Sequence, residues 1–180
     1  MKKLLILDID NTLIYSHQFS NIYSDFDMKF DDKDYYYSIK RPHLKEFLEY
    51  CNKNFRIAFW SAASEDYVQK VLENIIGDIG PVFIWGSKKC TISMIHSFYE
   101  VNLNIYKRLR KVWKCKKYYA TKENTLILDD TPLTYRYNYG NAISIKKFYG
   151  DSEDSELLRI KELLNTLKDC EDVRQIHKLY

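Results

Sequence analysis

Three short apolar runs in this chain end in side chains that handle phosphate or metal. Leu4-Leu5-Ile6-Leu7 runs into Asp8-Ile9-Asp10-Asn11-Thr12, Phe59-Trp60 runs into Ser61, and Leu126-Ile127-Leu128 runs into Asp129-Asp130-Thr131-Pro132. Read alone, Asp8-x-Asp10-x-Thr12 could be a turn closed by aspartate side chains, and Asp129-Asp130-Thr131-Pro132 an ordinary strand exit. Together they describe one chemistry. Carboxylates gathered at one sheet edge repel, so a cation must sit among them, and oxygen-only ligands point to magnesium. Such a metal offsets charge on carboxylate and phosphate alike, allowing Asp8 to attack phosphorus and form an aspartyl-phosphate. Asp10, two residues on, is placed to protonate the leaving oxygen and later to activate water. A hydroxyl at Ser61 and a lysine ammonium would hold the remaining phosphate oxygens, where charge builds up during transfer.

These runs must be strands of one sheet, because ligands in open α/β sheets bind beyond the carboxyl ends of the strands. The strand candidates are Lys3–Asp8, Phe55–Trp60, Val82–Trp85, Thr125–Asp129 and Ala142–Ile145. Between them lie helical patterns. Pro42 opens one carrying Leu44, Phe47, Leu48 and Cys51 on a single face. Ser64 caps a second with Val68, Val71, Leu72 and Ile75, ending at Gly77. A third is expected from about Asn104 to Trp113, and a fourth, after Ser152 or Ser155, carries Leu157 to Leu167. Alternating strands and helices predict an α/β fold: a Rossmann-like, five-stranded parallel sheet with helices on both faces. Residues 16–40 break the alternation. Phe26, Met28 and Phe30, the polar Asp31-Asp32-Lys33-Asp34 and the run Tyr35 to Ile39 predict a β-hairpin inserted between the first strand and its helix.

The bulk properties agree. A chain of 180 residues, 46% hydrophobic and 29% charged, can bury a core of its own, and it reads as one domain spanning residues 1–180. A net charge of +3 is too small to argue for nucleic acid by itself. Cys51, Cys90, Cys115 and Cys170 lie far apart with no ligand spacing, which suits a reducing compartment rather than a disulfide or zinc framework. The apolar start is cut short by Asp8 and no run reaches membrane-spanning length, so the expectation is a soluble intracellular protein of cytoplasm or nucleus, without a membrane partner. Residues Lys107 to Lys117 hold seven basic side chains, which read first as a solvated face and second as a landing site for an acidic phosphopeptide or nucleic acid.

The sequence resembles the haloacid-dehalogenase-type hydrolases, and within them the NLI-interacting-factor-like branch containing the small phosphatases of the RNA polymerase II C-terminal domain. Asp8 to Leu13 resembles that branch's D-L-D-E-T-L, and Lys40-Arg41-Pro42-His43-Leu44-Lys45-Glu46-Phe47-Leu48 its K-R-P-H-x-x-E-F-L. Leu126 to Pro132 with Tyr135 resembles L-I-L-D-N-S-P-x-x-Y, and the pattern continues through Asn141-Ala142-Ile143, Phe148-Tyr149, Asp154-Ser155-Glu156-Leu157 and Asp172-Val173. The resemblance implies Asp8 as nucleophile and metal ligand, Asp10 as acid and base with its carbonyl on magnesium, and Thr12 as the brace of the nucleophile loop. It implies Asp129 and Asp130 as metal ligands, with Asp130 in place of the family's Asn. Ser61, Lys107, Asn11 and Thr12 would form the phosphate-binding set. Lys111 and Lys114 are alternatives to Lys107, because Arg108 stands where the family has Asp. The family's Phe-Arg-x-x-Cys has no matching arginine here, and Ile84-Trp85-Gly86-Ser87-Lys88-Lys89-Cys90 offers lysines instead. The implied substrate is a phosphoserine or phosphothreonine polypeptide, recognised in part by the inserted hairpin. The alternatives are a small metabolite, a nucleic-acid 3′-phosphate, or a non-catalytic binding module of the same fold.

Overall fold

The structure is a computed structural model and describes residues 1–19, 23–30, 34–96 and 101–178. Its strands are β1 (Leu4–Leu7), β2 (Ile14–His17), β3 (Phe26–Phe30), β4 (Asp34–Lys40), β5 (Arg56–Trp60), β6 (Ile84–Trp85), β7 (Thr91–His96), β8 (Val101–Tyr106), β9 (Thr125–Asp129) and β10 (Ala142–Ser144). The helices are α1 (Leu44–Asn54), α2 (Glu65–Ile75), α3 (Arg110–Trp113) and α4 (Glu156–Leu167). Among the described residues, five strands form a parallel sheet in the order β10-β9-β1-β5-β6. The fold class is the one the alternation predicts.

The register of that sheet sets up the site. Leu7 lies opposite Phe59 on one side and Leu128 on the other. One step further, Asp8 is therefore level with Trp60 and Asp129 on strands about 4.8 Å away. β1 can occupy the centre because both of its faces are apolar. Leu5 and Leu7 join a core built with α1, α2 and α4, whereas Leu4 and Ile6 face a smaller one with Trp60, Leu109 and Val112. The helices are thus divided unevenly, and the second face is covered by the short α3 and nearby loops.

The three longer helices start close to where the sequence signals. α1 follows Arg41-Pro42 through His43 in a left-handed conformation (φ 65°) and buries Leu44, Phe47, Leu48 and Cys51. Ser64 Oγ accepts the Tyr67 amide at 3.3 Å, and Glu65 and Asp66 lie in the first turn, where the helix dipole favours acids. Ser155 occupies the N-cap of α4 without a side-chain bond, and Asp154 Oδ1 accepts the Glu156 amide at 3.0 Å instead. Gly86 follows β6 and lies tight against the loop leading into α2. A Cβ there would stand 3.0 Å from the Ala63 carbonyl oxygen and the Glu65 amide nitrogen.

The insertion between β1 and α1 is an antiparallel sheet of order β2-β4-β3, with the expected hairpin formed by β3 and β4. Its polar turn at Asp31-Asp32-Lys33 lies outside the described residues. The helix expected from Asn104 to Trp113 is corrected: the chain is strand through Tyr106, and only Arg110–Trp113 is helical. Ile105, Leu109 and Val112 mimic a helical period, but Val101, Leu103 and Ile105 also alternate with Asn102 and Asn104. That alternation wins because Thr91–His96 is available as an antiparallel partner.

Candidate active site

The loop leaving β1 is held rigidly by bonds that lie outside the charged centre. Asn11 adopts φ 57°, a left-handed conformation that Asn tolerates better than most residues. Its Nδ2 donates to the Phe148 carbonyl at 2.9 Å, and the Phe148 amide donates back to the Asn11 carbonyl at 2.8 Å. Arg41, 1% exposed, grips the same loop from below. Its guanidinium donates to Asp154 at 2.7 and 2.8 Å, to the Thr12 carbonyl at 3.0 Å and to the Lys146 carbonyl at 2.9 Å. Burial opposes ionisation of Asp154, but the bidentate Arg41 outweighs it and holds that carboxyl below its usual range. The loop is therefore tied to chain segments more than a hundred residues away.

The charged centre stands on this base. Lys107, also 1% exposed, directs Nζ between Asp8 Oδ1 and Asp129 Oδ2, the latter at 2.7 Å. Its backbone is fixed by the Thr134 carbonyl (2.7 Å) and by Asn138 Nδ2 (2.7 Å), both from the loop after β9. Thr12 Oγ1 lies 3.1 Å from Asp8 Oδ2 and 3.3 Å from Asp130 Oδ1. Asp129 Oδ1 accepts the Thr131 amide at 2.9 Å, and Thr131 Oγ1 donates to Asp130 Oδ2 at 2.9 Å. Asp8, Asp129 and Asp130 each present a carboxylate oxygen within 4.8 Å of the others.

The electrostatics leave this cluster short of positive charge. Burial pushes the Asp8 carboxyl well up; Lys107 counteracts it, while Asp129, Asp130 and Asp10 add to the rise. Burial alone would depress the Lys107 ammonium, yet Asp129 and Asp8 together hold it above the ordinary lysine value. Three carboxylates share one fully buried ammonium among the described residues, with Lys147 contributing from 3.6 Å at the rim. An oxygen-only, carboxylate-rich cage of this size could hold a metal ion and fits a hard divalent cation that keeps some of its waters.

Asp10 is turned away from that cage. Its Oδ1 accepts the Tyr67 hydroxyl at 2.5 Å and its Oδ2 accepts Ser61 Oγ at 3.1 Å. Ser61 Oγ in turn accepts the Ala63 amide at 3.0 Å. The Tyr67 oxygen is 2.9 Å from Ser16 Oγ, itself 2.8 Å from Ser38 Oγ, so the inserted sheet reaches the second aspartate through two hydroxyls and a phenol. Burial raises the Asp10 carboxyl despite its two donors, and burial together with Asp10 raises the Tyr67 phenol.

Asp8, Asp10, Ser61, Lys107, Asp129 and Asp130 thus line one pocket. Asn11 also borders it, though its amide is committed to Phe148, and Thr12 is buried just beneath. Lys111 and Lys114 do not line the pocket: the Lys111 Nζ caps the carbonyls of Lys89 and Cys90, and Lys114 is exposed. Lys88 extends toward solvent. Sequence reasoning missed Tyr67, Lys147 and the Arg41–Asp154 pair. Arg41 had a signal in its Arg-Pro-His context, whereas Tyr67 sits in a helix whose apolar period accounts for it as core.

The comparisons with known proteins follow the same lines. A match to the family described as NLI interacting factor-like phosphatase spans residues 3–174. The putative CTD phosphatase-like protein 355R of Invertebrate iridescent virus 6 is 34% identical, over 91% of this chain and 97% of its own length. The CTD nuclear envelope phosphatase 1 of Xenopus tropicalis is 26% identical, over 97% of this chain and 71% of that protein. In fold, the chain is similar to the fission yeast RNA polymerase II CTD phosphatase Fcp1 bound to beryllium fluoride. The TM-score is 0.58 at 15% identity, covering 93% of this chain and about half (51%) of the Fcp1 chain. The alternating strands, the strand-end carboxylates and the match over residues 3–174 converge: this chain belongs to the NLI interacting factor-like phosphatase family.

Proposed function

We propose that the chain is a magnesium-dependent phosphatase that removes phosphate from serine or threonine of a polypeptide through a phosphorylated Asp8. The observation that carries this reading is the division of labour between two nearby aspartates. Asp8 lies in the carboxylate cage with Lys107, and Asp10 faces the opposite side on Ser61 and Tyr67. Asp8, Asp129 and Asp130 would hold the metal, with the Asp10 backbone carbonyl as a further ligand. When bound, magnesium supplies positive charge that lets a carboxylate approach a phosphate dianion.

In the first half-reaction an Asp8 carboxylate oxygen bonds to phosphorus as the bond to the serine or threonine oxygen breaks. Asp10, protonated, delivers its proton to that leaving oxygen. In the second half, Asp10 as carboxylate takes a proton from water, whose oxygen bonds to phosphorus and releases Asp8 and inorganic phosphate. Lys107 stays charged throughout and balances the Asp8 side. Ser61 lies where its hydroxyl meets a phosphoryl oxygen once it leaves Asp10, and Lys147 at the mouth offers a second cation. Asn11 and Thr12 act on the phosphate through the loop they brace.

A polypeptide substrate is supported by the relatives named as CTD phosphatases and by a second hollow beside the first. That hollow shares Asp10 and continues past Ser16, Phe30, Tyr36, Ala63 and Tyr67, between the inserted sheet and α2. The test is turnover of an aryl phosphate with magnesium, followed by comparison of phosphopeptides with sugar phosphates and a DNA 3′-phosphate. Turnover that persists in Asp8→Asn would sink the catalytic reading, and a preference for sugar or DNA phosphate would sink the polypeptide one.

A further inference from the structure

The β7–β8 hairpin is built inside out. Its register pairs Ile92 with Ile105 and Met94 with Leu103 on one face, and Thr91 with Tyr106 and Ser93 with Asn104 on the other. The polar face turns inward: Thr91, Ser93 and Asn104 are half-buried and Tyr106 is buried. Of the apolar face, Ile92, Met94 and Leu103 turn outward, 58%, 64% and 59% exposed, while Ile105 at the root is half-buried against the smaller core. A two-stranded ribbon ordinarily buries its apolar side, so this arrangement calls for a partner.

The position of the hairpin indicates which partner. β7 leaves from Cys90, whose thiol lies 3.8 Å from the Ser61 carbonyl, and β8 ends one residue before Lys107. Both legs therefore rise from the rim of the candidate active site. Neither strand pairs with a third one among the described residues. The root carries Lys88, Lys89, Arg108, Arg110 and Lys111, with Lys111 tied to the Lys89 and Cys90 carbonyls. A second copy docked root to root would bring like charges against these cations. The three exposed apolar side chains also fall well short of the ~800 Å² per partner that a stable homodimer buries. An extended phosphorylated segment meets neither objection, since it is anionic and needs only a few side-chain contacts.

We propose that the outer face of the β7–β8 hairpin docks an apolar side chain of the phosphorylated polypeptide substrate. Hairpin and extended peptide share a rise of about 3.3 Å per residue, so distances along them count alike. Leu103, the exposed apolar residue of β8, precedes Lys107 by four positions, placing the docked side chain roughly three to four residues from the phosphorylated one. The inference rests on the polypeptide-phosphatase reading and adds a specificity surface to it.

The experiment uses two phosphoserine peptides that differ only three residues from the phosphoserine, with Leu in one and Gly in the other. Turnover of each is normalised to aryl phosphate turnover of the same preparation. The wild-type chain is expected to favour the Leu peptide about tenfold, the worth of one partly buried aliphatic side chain. In Met94→Ser/Leu103→Ser that preference should fall to within about twofold. Binding of labelled peptides to Asp8→Asn, read by fluorescence anisotropy, should show the same discrimination without any turnover. Equal use of both peptides by the wild-type chain, or a preference surviving in the double variant, overturns the proposal. So does a wild-type dimer in light scattering that the double variant abolishes, because a second copy would then be the occupant. Failure of the catalytic reading shows separately, as aryl phosphate turnover that is absent or indifferent to Asp8→Asn.

Discussion

Two buried ionic clusters lie on either side of the loop Asp8–Thr12, and they are built on opposite terms. Beneath the loop, Arg41 meets Asp154 one to one, and four of its five N–H groups have acceptors. Above it, Lys107 faces Asp8 and Asp129, with Asp130 adjoining through Thr12. The first cluster is balanced and closed, and it holds two distant segments together. The second carries an excess of negative charge that an added cation would relieve. Charge balance, more than burial or distance, separates the structural pair from the chemical one.

The largest effect should come from the unbalanced cluster. Asp8→Asn is expected to lower kcat/KM by at least ~10³-fold, as loss of a covalent nucleophile does. Urea unfolding without metal should show no loss of stability, since the change removes one of several repelling carboxylates. Asp10→Asn should cost about 10²–10⁴-fold on a phosphoserine peptide. The loss should be smaller on an aryl phosphate, whose leaving group needs little protonation.

The balanced cluster should invert that pattern. Arg41→Ala strands a largely buried carboxylate and is expected to cost about 3–5 kcal/mol in urea unfolding. Replacing both partners, as Arg41→Met with Asp154→Leu, should recover much of the loss. If Arg41→Ala instead abolished activity at full stability, the distinction between the clusters would collapse. Lys147→Ala, which removes the partly exposed cation at the rim, should raise KM several-fold with little change in kcat.

The smallest effect concerns pH. Asp154 has its folded pKa held down, so its contribution to stability is present above about pH 4, the ordinary aspartate range. It fades as the pH falls through the folded value. Unfolding compared at pH 6 and pH 3 should therefore show a shallower acid loss in Asp154→Asn than in the wild-type chain.

Much of the frame was legible from sequence because parallel strands buried on both faces are continuous apolar runs, and their ends are marked by the first polar residues. That placed Asp8, Ser61 and Asp129 near one another before any coordinates. Ser64 announced its helix through a local bond that depends on three residues. Tyr67 was illegible because what matters is where its hydroxyl ends, on Asp10, rather than its place in the α2 period. The Arg41–Asp154 pair and Lys147 depend on segments brought together only by the sheet order. The hairpin was misread because Ile105, Leu109 and Val112 satisfy a helical period by coincidence, and only the pairing partner decides between periods.

The proposed mechanism requires Asp8 to receive the phosphoryl group. The most direct measurement is acid-quenched single turnover followed by mass analysis of the peptide containing Asp8. With magnesium, a phosphoryl adduct on Asp8 is expected, absent after chelation and absent in Asp8→Asn. Turnover that proceeds with no adduct, or with one on another residue, would contradict it.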